Sequence, residues 1–346
     1  MNAAVSVEEL RATLEAREEP GVSELLEALR NVVGADGWTS QLTPLKRRVY
    51  RLQWKESNGA RSVILKRSEP AIAHLNRLVA ERWLPSLGLG DNCAGLLAMA
   101  PDPQGRWFWQ IYEDLGAQTL ERQRDWQRVA ATTDLIAELH VRGAAHALLP
   151  EVRHHGKDLG LAFFAANVRD AVRGLEQLRG EHAADELGHL RNRLLRRMRV
   201  LLADLPKRAK VLEKAGGPDT LLHGDLWRDN AFATVSRGVA RVRLIDWDHV
   251  GVGPHSYDLS TFLLRFEVAE RRRILARYQD TLSPAGWQLP PARELNALFE
   301  TAEYSRFANR VSWAVMAWLH EGAEWVPIEL AEIERWFDAW RPTLIE

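Results

Sequence analysis

The feature that most restricts the fold of this chain is a change in hydrophobic periodicity about a third of the way along its 346 residues. Apolar residues alternate with charged ones in RRVYRLQW, and RSVILK continues the strand pattern after a turn at 57–59. One helical segment follows Pro70, and RWFWQIYEDLG predicts a further strand. From Asp125 onward the spacing is helical, except for a hairpin within 219–247. The pattern predicts an α+β fold, with a β-rich first part and a mostly helical second part.

The length and the pattern together predict a division into three parts. A chain of 346 residues is typical of about two domains. We expect an N-terminal helical cap in residues 1–35, because VEELRATLEA and SELLEALRNVVG have helical spacing on either side of a turn at Pro20. A sheet-rich N-lobe with one main helix then covers 36–114, and a helical C-lobe with a small hairpin covers 115–346.

Charge balance and cysteine content exclude several classes of protein. The chain has 46 Lys and Arg against 47 Asp and Glu, so binding to nucleic acid or to an anionic membrane through overall charge is not expected. Its one cysteine, Cys93, can form neither an intrachain disulfide nor a Cys-rich zinc site. The sequence contains no long apolar run, and its first residues lack the apolar core of a secretory signal. We therefore expect a cytoplasmic protein.

Three oxygen-bearing side chains in the segment 221–260 are spaced for phosphate chemistry. Asp225 and Asn230 lie in a loop after a strand, and Asp246 ends the second strand of the following hairpin. Because a hairpin returns its far end to its start, Asp246 is expected beside this loop. Mg²⁺ prefers oxygen ligands, which an Asn, an Asp and a triphosphate supply. Asp225, if not bound to the metal, is placed to accept the proton of a hydroxyl group, so the set suits phosphoryl transfer.

The same segment resembles the aminoglycoside phosphotransferase and choline kinase family, whose members are small-molecule relatives of protein kinases. The resemblance rests on HGDL at 223–226, on Asn230 and on IDW at 245–247, in this order and spacing. It implies a bilobal protein-kinase-like fold with ATP and Mg²⁺ as cofactors. It also implies that Asp225 is the catalytic base and that Asn230 and Asp246 are the metal ligands.

Three further aspartates in this region receive other roles. Asp258, in HSYDLS, resembles the buried aspartate that supports the catalytic loop in this family. Asp229 and Asp248 are interpreted as solvated or capping acids, because Asp is a common turn residue.

The resemblance also implies nucleotide-binding residues in the N-lobe. Lys66 ends a strand and is expected to bind the phosphates, and Glu81 in the following helix is expected to orient it. The segment WFWQIYEDLG corresponds to the hinge between the lobes. The main chain there is expected to meet the adenine edge at Gln110, Tyr112, Glu113 and Asp114.

Two departures from the protein-kinase pattern affect the expected function. The turn LTPLKRRVY contains no glycine, so Thr43, or Lys46 and Arg47, would cover the phosphates in place of a Gly-rich loop. Gly224 stands where protein kinases usually have Arg, and no APE-type segment follows Asp246. These differences argue against control by a phosphorylation switch and favour a small acceptor over a protein.

Other motifs in the chain favour no second chemistry. Gly251 and Gly253 in GVGP are interpreted as turn glycines, because they match neither the dinucleotide fingerprint nor a Walker motif. The adjacent His154 and His155 point apart, and no further Cys or His is suitably spaced for a metal site.

The class of acceptor stays open at this point. Residues 294–338 mix acidic and aromatic side chains, which would suit a cationic amine, but interleaved arginines are typical of a solvated charged face. We expect transfer of the γ-phosphate of ATP to a hydroxyl of an amine, a sugar or another alcohol. A nucleotide-binding pseudokinase or interaction module is the alternative. Neither a nucleic-acid partner nor a membrane is expected, and the sequence does not indicate the oligomeric state.

Overall fold

The structure is a computed structural model that describes residues 7–34, 40–56, 59–178 and 186–345. The predicted turn residues Ser57 and Asn58, and the predicted start of the N-lobe at residue 36, lie outside the described residues.

The chain forms two compact units. Unit 1 consists of Met1–Ala131 and Asp229–Asp248, and unit 2 consists of Thr132–Arg228 and His249–Glu346. These limits differ from the predicted boundaries after residues 35 and 114, chiefly because the segment Asp229–Asp248 belongs to unit 1. The three-part domain division stays a prediction.

An antiparallel five-stranded sheet forms the centre of unit 1. Its strands are β1 (Ser40–Lys46), β2 (Val49–Glu56), β3 (Gly59–Ser68), β4 (Leu96–Pro101) and β5 (Phe108–Glu113). Their order in the sheet is β1-β2-β3-β5-β4, and Lys66 of β3 lies opposite Gln110 of β5. The strands predicted from alternation correspond to β2, β3 and β5. β4 was not predicted, because its sequence LLAMAP is apolar throughout and has no period of two.

Two N-terminal helices and one helix after β3 complete the first part of unit 1. α1 (Val7–Glu15) and α2 (Val22–Val33) confirm the predicted helical pair. α3 (Pro70–Leu78) continues through a π-helical turn at Val79–Trp83 into α4 (Leu84–Ser86). The core between α1, α2 and the sheet is built from fully buried leucines and aromatic residues, among them Leu10, Leu14, Leu25, Leu29, Leu52, Leu65 and Trp109.

Beyond residue 125 most of the chain is helical. In chain order the elements are α5 (Trp126–Gly143), α6 (Leu149–His155), β6 (Lys157–Asp158), α7 (Leu161–Gln177), α8 (Glu186–Ala203), α9 (Leu205–Ala215), β7 (Asp219–Leu222), β8 (Ala231–Ser236), β9 (Val239–Leu244), β10 (Gly251–Pro254), α10 (Ser256–Leu263), α11 (Val268–Leu282), α12 (Ala292–Glu321) and α13 (Val326–Ala339). The predicted hairpin is the pair β8–β9, which belongs to unit 1.

The core of unit 2 surrounds the long helix α12. Apolar side chains of α7, α8, α12 and α13 pack together there, including Phe164, Val168, Leu194, Met198, Val311, Val315 and Ile333. The helical periodicity of the sequence therefore marks the faces that are buried.

A three-stranded sheet of order β6-β10-β7 lies beside these helices in unit 2. The interpretation of Gly251 and Gly253 as turn glycines is wrong, because both lie in the central strand β10. A Cβ atom added to Gly251 would lie 2.4 Å from the carbonyl oxygen of Lys157, so β6 and β10 can approach only where a side chain is missing.

The predicted fold class is confirmed. One unit is rich in antiparallel sheet and the other is mainly helical, which is the two-lobed α+β organisation of protein kinases. In the part of the chain that the structure describes, no helix combines the length and the apolarity needed to cross a membrane.

Candidate active site

The hairpin β8–β9 positions the two residues predicted to bind metal. β8 begins directly after Asn230, and its first residue lies opposite Leu244 at the end of β9. The N–H of Ile245 donates to the carbonyl oxygen of Asn230 over 2.9 Å. The hairpin therefore places Asp246 beside the loop that carries Asn230, and both residues belong to unit 1.

Asp246 has a left-handed backbone conformation. Its φ of 66° is unfavourable for most residues with a Cβ atom, by roughly 1–2 kcal/mol, but Asp and Asn adopt it more readily. Strained residues of this kind cluster at functional sites. Here the left-handed residue lies two positions after the end of β9, and the Asp246 carboxylate contacts Lys66.

Lys66 bridges two aspartates that follow β9. Its Nζ atom lies 2.7 Å from Oδ1 of Asp246 and 2.7 Å from Oδ1 of Asp248. Burial alone lowers the pKa of Lys66, but the attraction of the two carboxylates is stronger and holds this pKa above its usual value. Lys66 is therefore a fixed cation, and the side chain keeps 17% of its surface exposed.

Asp248 is a site residue that the sequence analysis missed. Besides Lys66, its Oδ1 atom accepts a hydrogen bond of 2.7 Å from the amide of Asn76 in α3. The interpretation of Asp248 as a solvated or capping acid is therefore wrong. The usable signal was a second aspartate two residues after Asp246, in the same short segment that follows β9.

Glu81 does not pair with Lys66. The side chain of Glu81 is exposed, and the ion pairs of Lys66 in the described residues are those with Asp246 and Asp248. Glu81 lies five positions after Asn76, within the π-helical turn Val79–Trp83, and it is exposed whereas Asn76 is buried. The helix face that carries Asn76 therefore excludes Glu81, and Asn76 holds Lys66 indirectly, through Asp248.

A cavity of about 700 Å³ in unit 1 contains this cluster at its wall. Its lining combines apolar and aromatic side chains with several cations. The apolar part includes Ile64, Ile72, Val79, Tyr112, Leu244 and Trp247. The basic part, besides Lys66, is formed by Lys46, Arg47, Arg48, Arg51, Arg67 and Arg122. A planar apolar group that carries several negative charges would fit these surroundings.

The predicted adenine-binding segment lies only partly at this cavity. β5 pairs with β3 on one side and with β4 on the other, so the main chain from Gln110 to Tyr112 is used within the sheet. The Gln110 side chain is fully buried and donates to the hydroxyl of Tyr112 over 2.8 Å. Gln110 therefore does not reach the cavity, whereas Tyr112 lines it with its ring.

The end of β5 and the residues that follow it also line the cavity. Glu113, Asp114 and the next three residues line the cavity. The Asp114 carboxylate lies 2.7 Å from Nε of Arg51 and accepts the N–H of Gly116 at 2.9 Å. Tyr112 and the residues from Glu113 to Ala117 thus line the cavity, and the contact of this main chain with an adenine stays a prediction.

The glycine-free turn between β1 and β2 brings cations to the cavity. Lys46 and Arg47 line it, as does Arg48, which has a φ of 65°. Thr43, the third candidate for phosphate cover, is paired with Arg51 in the sheet and does not line the cavity.

Asp225 belongs to unit 2, where a buried carboxylate supports its loop. The N–H groups of His223 and Gly224 donate to Oδ2 and Oδ1 of Asp258 over 2.7 and 2.9 Å. Asp225 follows directly and is half-buried, and its own N–H contacts Nδ1 of His223 at 3.3 Å. Asp258 thus fixes the backbone immediately before Asp225.

Asp258 is kept ionised by its hydrogen bonds. Burial alone raises the pKa of Asp258, but His140, His223 and the N–H of Gly224 together lower it below its usual value. Nε2 of His140 lies 3.3 Å from Oδ2 of Asp258, and Nδ1 lies 2.7 Å from the hydroxyl of Tyr278. The predicted supporting role of Asp258 agrees with these contacts.

Gly224 is required by the local geometry. Its φ is 84°, and a Cβ atom at this position would lie 2.0 Å from the carbonyl oxygen of His249. An arginine, which protein kinases usually have here, does not fit this backbone.

The fold and these residues together define a kinase-like phosphotransferase. The sequence profile of the phosphotransferase enzyme family matches residues 44–295, which is most of the chain, and the chain belongs to this family. No curated protein matches the sequence significantly.

Solved structures with the same fold include phosphotransferases of small molecules. APH(2″)-IIia, in its GDP and kanamycin complex, has a TM-score of 0.62 at 15% identity, with 91% of this chain and 99% of that chain covered. An ethanolamine kinase from Plasmodium vivax has a TM-score of 0.59 at 12% identity, covering 91% and 86%. Spectinomycin phosphotransferase, with ADP and spectinomycin, has a TM-score of 0.55 at 13% identity, covering 93% and 95%. At these identities the similarity shows the fold.

Proposed function

We propose that this protein is an ATP-dependent small-molecule kinase that transfers the γ-phosphate to a hydroxyl group. The observation that carries the proposal is the cluster of Lys66, Asp246 and Asp248 in the wall of a 700 Å³ cavity. A strand lysine next to the acid at the end of the hairpin, beside a pocket with apolar and basic walls, supports a site of the kind in which kinases bind a nucleoside triphosphate with a lysine and a metal-binding aspartate. Family membership supports the same reaction type.

Nucleotide binding is assigned to the cavity of unit 1. Tyr112 and the apolar side chains would contact the base, and Lys66 with the cations of the β1–β2 turn would contact the phosphates. The related structures with ADP and GDP support a nucleoside phosphate as ligand. ATP is our choice of donor.

The residues at the end of the hairpin fit a magnesium ion. Asn230, Asp246 and Asp248 offer amide and carboxylate oxygens, which are the donors that Mg²⁺ prefers. The ion, when bound, would neutralise charge on the phosphate oxygens. Asn230 and Asp246 are the ligands predicted from the sequence, and Asp248 adds a third oxygen-bearing group to the same end of the hairpin.

Asp225 is assigned the role of catalytic base. Its carboxylate would orient the acceptor hydroxyl and take its proton as the oxygen forms a bond to the γ-phosphorus. The bond from that phosphorus to the bridging oxygen breaks, and ADP leaves. Asp258 holds the backbone before Asp225, which keeps the base in position.

The acceptor is proposed to be a small molecule with a hydroxyl group: an amine, a sugar or another alcohol. Related structures contain bound kanamycin or spectinomycin, and another is an ethanolamine kinase, which supports this class. Because the reaction consumes ATP and needs no disulfide, we place the protein in the cytoplasm.

The test is ADP release from Mg·ATP with Asp225→Asn beside the parent protein and Asp280→Asn, an exposed acid on α11, as the matched control. We expect Asp225→Asn to bind the nucleotide as the parent does and to lose turnover by roughly 100-fold or more. Unchanged turnover in Asp225→Asn would remove Asp225 from the role of base. Nucleotide binding with no turnover for any hydroxyl compound would favour the pseudokinase instead.

A further inference from the structure

Charged groups of both signs lie around Asp225 in unit 2: Arg228, Arg265 and Arg306, with Glu303 and Asp258. Burial lowers the pKa of Arg265. The negative charges of Glu303 and Asp225 raise this pKa, and the positive charges of Arg306 and Arg228 lower it. Asp225 also acts on the pKa of Arg306. Three guanidinium groups are therefore within electrostatic range of one another in the region of the proposed base.

Arg306 is neutralised within the fold. Its side chain keeps 17% of its surface exposed, and its guanidinium donates to Glu303 over 2.5 Å and to Ser260 over 3.0 Å. It also donates to the carbonyl oxygen of Tyr257 and lies 3.7 Å from the centre of that ring. These contacts use its charge and most of its donors, so Arg306 is a structural cation.

Arg265 differs from Arg306 because no acid in the described residues pairs with it. It lies between α10 and α11, half-buried, and its guanidinium stacks on the Trp227 ring with 3.1 Å to the ring centre. Trp227 is 43% exposed and lies two residues after Asp225. The backbone N–H of Trp227 donates to the carbonyl oxygen of Asp225 over 2.9 Å. A preoriented guanidinium with unused donors thus stands next to the catalytic loop.

The acids that could have bound a cationic amine are paired elsewhere in unit 2. Glu303 is buried against Arg306, and Glu300 lies 3.0 Å from Nη2 of Arg208. Asp338 pairs with Arg197.

Glu321 is one of the acids of this region that have no ion pair in the described residues, and it lies at the far end of α12. It is 18 residues beyond Glu303, which corresponds to about 27 Å along an α-helix. Glu300 and Glu303 are already neutralised by arginines and are not available to a cationic amine.

We propose that the acceptor carries an oxyanion, a carboxylate or a phosphate, in addition to its hydroxyl, and that Arg265 on the Trp227 ring binds this anion. This inference rests on the proposed function and narrows its acceptor class. A guanidinium matches a carboxylate or phosphate with two parallel hydrogen bonds, and stacking on an aromatic ring fixes its plane. The arrangement disfavours polycationic acceptors, because the charge of Arg265, unpaired among the described residues, would repel them.

The test compares equilibrium binding of hydroxyl compounds that differ in charge. One set is glycerate, glycerol phosphate, glycerol and aminopropanediol; the other is gluconate, sorbitol phosphate, sorbitol and glucamine. Binding is measured by ligand-observed NMR with the full chain and Mg·ADP, which has no γ-phosphate to transfer, and ADP release from Mg·ATP is measured in parallel. The variants are Arg265→Gln, Arg265→Lys and, as the matched control, Arg335→Gln on the exposed surface of α13.

In the parent protein we expect the anionic members to bind about tenfold or more tightly than the neutral ones, and the amines to bind most weakly. Arg265→Gln should remove this preference, Arg265→Lys should keep part of it, and Arg335→Gln should retain it. Whether the carboxylates or the phosphates bind better identifies the oxyanion.

Three results would overturn the inference: amines that bind as tightly as the anions, no charge preference in either set, or a preference that survives Arg265→Gln. The proposed function is judged separately, by Mg·ATP binding and by ADP release that depends on Asp225. The charge preference is an equilibrium measurement and does not need turnover, so the two failures are distinguishable.

Discussion

Replacement of Asp258 by asparagine tests how the loop before the proposed base is held. Asp258 is fully buried and accepts the N–H groups of His223 and Gly224, with His140 also in contact. Asp258→Asn keeps the shape of the side chain but removes its charge. It also turns one acceptor oxygen into an NH₂ group, which then faces a donor.

The magnitude follows from these contacts. A hydrogen bond to a charged group contributes about 1.5–3 kcal/mol, and a buried donor left unpaired adds a further penalty. We therefore expect Asp258→Asn to lower the free energy of unfolding of unit 2 by about 3 kcal/mol. For a unit of ~150–250 residues, ~1 kcal/mol shifts the melting temperature by about 2–4 °C, so the expected shift is roughly 6–12 °C.

The assay is thermal and urea unfolding of the full chain at several pH values, with Asp280→Asn as the control for an exposed acid. Because the pKa of Asp258 is lowered in the folded state, its stabilising contribution is fully present above the usual aspartate pKa of 3.8. It is lost as the pH falls through the lower, folded-state pKa. The difference between parent and variant should thus be constant near neutral pH and shrink in acid.

Turnover should fall together with stability, since a displacement of the Asp225 loop by about 1 Å can cost roughly 100-fold in rate. The reasoning is refuted if Asp258→Asn melts within 1–2 °C, roughly, of the parent at neutral pH. It is also refuted if the stability difference grows, rather than shrinks, below the usual pKa of aspartate.

Two further substitutions test other contacts of the site. Lys66→Met should weaken Mg·ATP binding by about tenfold or more, because it removes the cation expected to contact the phosphates. Glu81→Gln changes a side chain that does not pair with Lys66, so it should leave Mg·ATP binding unchanged. Equal effects of the two substitutions in a binding titration would contradict the contacts described. Gly224→Ala should lower the free energy of unfolding of unit 2 by more than about 3 kcal/mol, because the new Cβ atom would clash with His249. The control is Gly322→Ala, which should cost only about 1 kcal/mol, since Gly322 has a φ of 62° but open space around it. Similar melting temperatures of the two variants would refute the clash.

The contacts of Lys66 show where sequence reasoning was sufficient and where it was not. The sequence identified Lys66 as a strand-end lysine and Asp246 as the acid at the end of a hairpin, and the structure brings them within 2.7 Å. From the sequence, Glu81 was expected to be the partner of Lys66, because Glu81 lies in the helix that follows the strand of Lys66. Which residue of a helix faces a given strand depends on the rotation of that helix in its packing, and the structure selects Asn76 and, through it, Asp248.

The glycines show the same limit. Gly224 could be noted from its motif, but the reason for it is a carbonyl oxygen 25 residues later in the chain, at His249. Gly251 and Gly253 carried no strand pattern, since glycine has no side chain to show alternation. They are strand residues because Gly251 pairs with both β6 and β7 and Gly253 pairs with β7.

The sequence by itself determined the α+β class, most helices and strands, and the spacing of Asp225, Asn230 and Asp246. Periodicity and turn chemistry are local properties, so they are visible in the order of residues. Only the tertiary structure decided which charges are neutralised. Glu300 of α12 pairs with Arg208 from α9, whereas Arg265 beside Asp225 pairs with no acid in the described residues. The packing of elements that are distant in the sequence decides which of these charges is neutralised.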